Sequence, residues 1–161
     1  MHAMSPERPR FEIRQIGTIE RTEGGARLHV FEEYRACLDQ LGTFSHAEVL
    51  WWFSQCDEEE LRSITRVDPP FESPTLGVFA THTPTRPNPV ALSTIVIRSV
   101  DEDAGIVEIG AVDAVDGSPL IDIKPYMPHY SRVREPVVPA WASQWPEWMP
   151  EDGVELDEPP E

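Results

Sequence analysis

The chain reads as a succession of short apolar runs bounded by turn formers, a pattern that predicts strands more often than helices. Ile13 to Glu20 and Ala26 to Phe31 fit strands separated by the turn residues Glu23-Gly24-Gly25. Phe31, Tyr34, Leu38 and Leu41 then recur at helical spacing, which predicts a short helix ended by Gly42. His46 to Ser54 reads as a buried strand. Neighbours on a strand face opposite ways, so at least one of Trp51 and Trp52 belongs to the core. Asp57 to Ser63 predicts a second short helix, with Asp57 and Glu60 at capping-box spacing. Residues 67–75 form a proline-rich loop. Gly77 to Thr81, Val90 to Val100, Ile106 to Val115 and Leu120 to Ile123 complete the strands, and Asp101 to Gly105 has the chemistry of a hairpin turn.

The pattern fails from Pro136 onward, where prolines, tryptophans and acids alternate without a period. We therefore expect one domain over residues 1–135, a size that buries one core, and a tail over 136–161. That tail is either disordered or docked, and Trp141, Trp145 and Trp148 favour docking on the body or on a dimer partner. No apolar run approaches membrane-spanning length, and MHAMSPERPR lacks the apolar centre of a signal peptide, so a cytoplasmic protein without a membrane partner is expected. Cys37 and Cys56 make no CxxC or zinc pattern and read as reduced, packed thiols. His46 and His82 lack zinc-ligand spacing, so no metal is expected. No GxGxxG follows a strand, which argues against a doubly wound nucleotide-binding sheet.

Charge changes the picture of partners. The formal net charge is -16, with one lysine, and the seven acids of residues 147–161 account for only part of it. Such a chain repels phosphate at long range, so a nucleic-acid partner needs locally clustered arginines. Two clusters exist, Arg8, Arg10, Arg14 and Arg132, Arg134.

Two segments concentrate candidate chemistry. Thr83-Pro84-Thr85-Arg86-Pro87-Asn88-Pro89 contains three prolines that each fix φ, so Arg86 and Asn88 are presented on a stiff loop. Asp113 to Tyr126 places three carboxylates, the lone lysine Lys124 and a tyrosine within fourteen residues. Read alone, Asp113 and Asp116 beside Gly117-Ser118-Pro119 are turn residues, and Asp122 with Lys124 is a strand-end ion pair.

GVFATHTPTRPNPVALS (77–93) and DAVDGSPLIDIKPY (113–126), with the shorter stretch from Leu41 through His46 to Phe53, resemble the TsaA-like, or TrmO, family of S-adenosylmethionine-dependent tRNA methyltransferases. The resemblance covers roughly residues 13 to 130. It implies a small single-sheeted β-barrel with a few short helices, S-adenosyl-L-methionine as cofactor and a homodimer. It also implies N6-methylation of threonylcarbamoyladenosine beside the anticodon of tRNA. Cofactor contacts carried over are Thr83, Arg86, Asn88, Asp113, Asp116 and Leu120. Asp122 or Tyr126 would take the acceptor proton, and Lys124 would stabilise developing negative charge. The chain departs from the family pattern at His82, where arginine is usual, and at Ala91, where glycine is usual. Glu20 to Leu28 also has no proline-arginine-glutamine loop. Methylation of a small molecule or peptide, and cofactor binding without turnover, therefore stand as alternatives.

Overall fold

The computed structural model describes residues 8–154. Six of its eight strands close into an antiparallel barrel. In chain order the strands are β1 (Gly17–Thr22), β2 (Gly25–Val30), β3 (His46–Trp52), β4 (Arg66–Val67), β5 (Leu76–Gly77), β6 (Val90–Asp101), β7 (Ile106–Ile109) and β8 (Ser118–Pro125). The barrel order is β1-β2-β7-β6-β3-β8, and β4 with β5 forms a separate two-stranded ribbon. Closure leaves no unpaired barrel edge, which an isolated small sheet would expose to aggregation. The 12-residue β6 makes closure possible by pairing its first half with β3 and its second half with β7. Register shifts at Ile97/Ser99 and at Leu50/Trp51 bend the strands around the corner.

Alternation sorts side chains by face, so Ala47, Val49 and Trp51 of β3 point inward while His46, Glu48, Leu50 and Trp52 point out. Ile19, Leu28, Ile95, Val107, Ile109 and Leu120 meet them, each at 0–1% exposure. No helix among the described residues is long and apolar enough to cross a membrane.

Several elements differ from the sequence reading, each for a local reason. Strand β1 starts at Gly17 rather than Ile13; Ile16 makes the first barrel bond, to the Leu120 carbonyl, and Ile13 is exposed. The helix over 31–41 is instead two 3-10 segments, Glu32–Leu38 and Leu41–Thr43, broken where Gln40 turns left-handed at φ 66°. A seven-residue segment is too short to nucleate a stable α-helix alone, yet Leu38 and Leu41 still reach the core three residues apart. Helix α1 is Glu59–Arg62, and Asp57 does not cap it, because its carboxylate binds Trp52 Nε1 and Arg62. The expected strand over 77–81 is a 3-10 turn, Val78–Ala80. A last helix, α2, spans Pro128–Ser131. Cys37 and Cys56 are free, but Cys37 is exposed rather than packed.

The expected strand from Ile106 to Val115 stops at Ile109 because the chain changes partner there. Ala111 N donates to the Asp152 carbonyl at 2.6 Å, and Ala111 bridges Gly153. A Cβ on Gly110 would lie 2.4 Å from that carbonyl, and Gly153, at φ 101°, would put one 2.4 Å from the Ala111 carbonyl. Farther back, Trp141 stacks on Phe71 at 5.8 Å between ring centres and meets Trp145 edge-on at 5.7 Å. Residues 141–154 are therefore strapped down at two points, one on the loop between β4 and β5 and one at the barrel beyond β7.

Leu120 lies wholly inside the barrel, so Leu120→Ala should lower unfolding free energy by about 2–5 kcal/mol, the usual range for a buried leucine. Urea denaturation of both proteins measures the difference.

Candidate active site

Two clefts lie side by side on the outer surface of the barrel and share His82, Leu92 and Asp113. The first, of about 440 Å³, is walled by Phe53, Phe79, Arg86, Asn88 and Val90. The second, of about 640 Å³, is walled by His46, Ser93, Tyr126 and three strap residues, Trp148, Met149 and Val154. Both volumes fall in the roughly 300–1,000 Å³ typical of small-molecule sites. All three segments that carry the family resemblance meet here, through His46, through Phe79 to Ser93, and through Asp113 with Tyr126.

A hydrogen-bond relay from the core fixes the carboxylate between the clefts. Trp51 is 2% exposed, and its indole N–H must find an acceptor inside the barrel. It donates to Ser93 Oγ at 3.0 Å, and Ser93 Oγ donates to Asp113 Oδ1 at 2.6 Å. Asp113 Oδ2 makes no hydrogen bond among the described residues. The backbone on both sides of Asp113 is held by Arg21, whose Nη1 donates to the carbonyls of Ala114 (3.2 Å) and Val112 (3.5 Å).

The signature loop is tied down by two arginines. Arg86 donates to the carbonyls of Thr81, Thr83 and Val78 at 3.3–3.4 Å, so its guanidinium folds the loop around itself. Arg62 of α1 reaches in from outside, donating Nε to the Pro87 carbonyl at 2.8 Å and Nη2 to Asn88 Oδ1 at 3.3 Å. Asp57 holds Arg62 Nη1 at 3.0 Å and accepts from Trp52 Nε1. With its oxygen occupied, the Asn88 amide is oriented with its nitrogen free to donate. Phe79 is 83% exposed beside this loop, an aromatic face without a covering side chain.

Of the other predicted residues, Tyr126 alone lines one of the two clefts. Thr83 bonds Thr85 within the loop and lines neither cleft. Asp116 accepts the Arg21 backbone N–H at 2.8 Å and pins its turn to β1. Leu120 faces the barrel interior. Tyr126 lines the second cleft, tethered through its N–H to the His46 carbonyl, its ring edge-on to the imidazole at 6.4 Å. Lys124 pairs with Asp122 at 2.6 Å on β8, and neither lines the two clefts. The hydrogen bond from that ammonium to Asp122, then the charge of Asp122, raises the lysine pKa above its ordinary value, so Lys124 stays cationic. The sequence reading assigned no role to Arg21, Arg62, Phe79 or Ser93. Phe79 and Ser93 lie within the first signature segment, but Arg21 and Arg62 act on backbone far away in sequence and leave no local pattern.

The sequence pattern of the tRNA-methyltransferase O N-terminal domain matches residues 4–132. The chain belongs to this family. Relatives of the domain include a probable S-adenosyl-L-methionine-binding protein of Methanothermobacter thermautotrophicus, 38% identical over 76% of this chain and 82% of that protein. The tRNA (adenine(37)-N6)-methyltransferase of Escherichia coli is 35% identical over 77% of this chain and 54% of the enzyme. This chain thus spans about half the length of the E. coli enzyme. A crystal structure of TrmO from Pseudomonas aeruginosa shares the fold with a TM-score of 0.65 at 24% identity, covering 84% of this chain and 63% of that one.

Within this TrmO-type domain, Ser93→Ala should cost about 1–3 kcal/mol in urea denaturation, because it leaves the buried Trp51 N–H without an acceptor. Lys124→Met should cost less than about 1 kcal/mol at neutral pH, since the pair is largely solvated. A raised lysine pKa gives stability that is complete below the unfolded value of about 10.4 and is lost as pH rises through the folded one. The stability difference between wild type and Lys124→Met should therefore match in melts at pH 7 and pH 9 and shrink only at higher pH.

Proposed function

We propose that this chain transfers a methyl group from S-adenosylmethionine to N6 of an adenine in tRNA, with threonylcarbamoyladenosine beside the anticodon as acceptor. The observation that carries the reading is the pair of clefts sharing Asp113, because a two-substrate transfer needs adjoining sites with a polar group at their junction. The residues fit the cofactor. Phe79 offers a face for the adenine ring and Asn88 a directed amide donor for a ribose or carboxylate oxygen.

S-adenosylmethionine, when bound, supplies an electrophilic methyl group on a cationic sulfur. The chain's residues position the acceptor and take its proton. An N6 conjugated to a carbonyl is a poor nucleophile, so its proton must leave as the N–C bond forms, and Asp113 Oδ2 stands free to receive it. Tyr126 and His46 border the same cleft and offer polar groups to the incoming nucleobase. The ion pair Asp122–Lys124 lies away from both clefts, with Asp122 lining a smaller one of about 250 Å³ beside Ile16 and Tyr34. Exposed Phe11, Tyr130, Val133 and Val137 provide apolar area for a second copy, and a tRNA substrate like that of the E. coli relative puts the site of action in the cytoplasm. Binding without turnover is the second reading, favoured by the names of the archaeal relatives, which specify binding alone.

Calorimetry with S-adenosylmethionine, followed by labelled transfer to total tRNA, tests the proposal. Wild type should bind and label tRNA, Asn88→Ala should bind about tenfold more weakly, and Asp113→Asn should lower kcat by about 100-fold. Binding without label in tRNA would overturn the acceptor assignment. No binding would overturn the cofactor assignment as well.

A further inference from the structure

We propose that the strap, residues 141–154, builds the acceptor half of the site, with Trp148 as the surface on which the target base stacks. The proposal rests on the tRNA methyltransferase reading above. The family pattern ends at residue 132, yet the larger cleft takes Trp148, Met149 and Val154 from beyond it. The smaller cleft is walled by the signature loop and accounts for the cofactor, which leaves the strap side for the second substrate.

The chemistry of that wall suits a nucleobase. Trp148 is 67% exposed although it lines a concave surface, so its indole is open to a ligand. The Arg132 guanidinium lies over the ring, 5.6 Å from its centre, which restrains the indole and sets a cation on one of its faces. His46, His82 and Tyr126 add hydrogen-bonding groups for the base edge. The platform is also held before a ligand arrives. The Phe71/Trp141/Trp145 cluster anchors one end, and the Ala111–Asp152 bond with the close contacts at Gly110 and Gly153 anchors the other.

The strap carries Glu147, Glu151 and Asp152, all exposed. These acids repel phosphate, so what enters against Trp148 is an unstacked base, with the RNA backbone kept toward Arg132. The acidity of this segment thereby becomes a selection for an extruded nucleotide over a paired one.

The test is titration of an anticodon stem-loop RNA, with a threonylcarbamoyladenosine immediately 3′ of the anticodon, by fluorescence anisotropy in the presence of S-adenosylhomocysteine. Wild type, Trp148→Ala, Trp148→Phe and Gly153→Val are compared, and calorimetry with S-adenosylhomocysteine alone is run on each. Trp148→Ala should weaken RNA binding about tenfold, and Trp148→Phe should restore most of it, because a phenyl ring still stacks. Gly153→Val, which forces a side chain against the Ala111 carbonyl, should mimic Trp148→Ala by unseating the strap. Affinity for S-adenosylhomocysteine should be the same in all four. Unchanged RNA affinity in Trp148→Ala would overturn this inference alone, and so would an equal loss of S-adenosylhomocysteine affinity, which would put Trp148 on the cofactor. A wild type that binds S-adenosylhomocysteine but not the RNA would overturn the acceptor reading and this inference together.

Discussion

One buried polar atom organises this site. The barrel interior takes in the Trp51 side chain, and an indole N–H sealed from water must be given an acceptor. Ser93 is that acceptor, one of two buried polar or charged residues among those described, and its own proton then points to Asp113. The carboxylate is thus oriented by the folding of the core rather than by the loop that bears it. Asp113 lies just past the point where the chain leaves β7, and Arg21, from β1 two strands away, clamps the carbonyls on either side. Core packing, strand register and site geometry are therefore one constraint.

The arginines follow a related logic. In a chain of net charge -16 they are scarce cations, yet Arg21, Arg62 and Arg86 direct hydrogen bonds at backbone carbonyls. A planar guanidinium with five donors can gather several carbonyls of an irregular loop that has no ladder partner. The prolines of the signature loop remove donors and restrict φ, and the arginines answer the acceptors that remain. Rigidity there comes from both together.

Much of the barrel was legible in the sequence because strands have a short period. β2, β3 and β6 begin or end within two residues of the predicted limits, and the Asp101–Gly105 turn forms with Asp101 bonding the Ala104 N–H. Failures came where a distant segment outcompeted local pattern. The strand after Ile106 ends early because the strap takes over Ala111, and Asp57 abandons a cap for Trp52 and Arg62. In the site, Arg86, Asn88, Asp113 and Tyr126 lie on the clefts, and the motif stretches led to them. Asp122, Lys124 and Leu120 sit in the same motif but project from other parts of the strand. Linear adjacency along β8 says nothing about which of its faces meets a cleft.

The strap's position in the chain has a kinetic meaning. Its seat at Gly110–Ala111 exists only after β7 has paired with β2 and β6, and its tryptophans close on Phe71, some seventy residues earlier. Loop length does not delay the strap, since Gly17 to Leu120 spans more chain than Ala111 to Asp152; it waits because the surface it docks on is made by strand pairing. The wall of the larger cleft therefore assembles after the strands it leans on, so those strands can be paired while the ligand cleft is still open on one side.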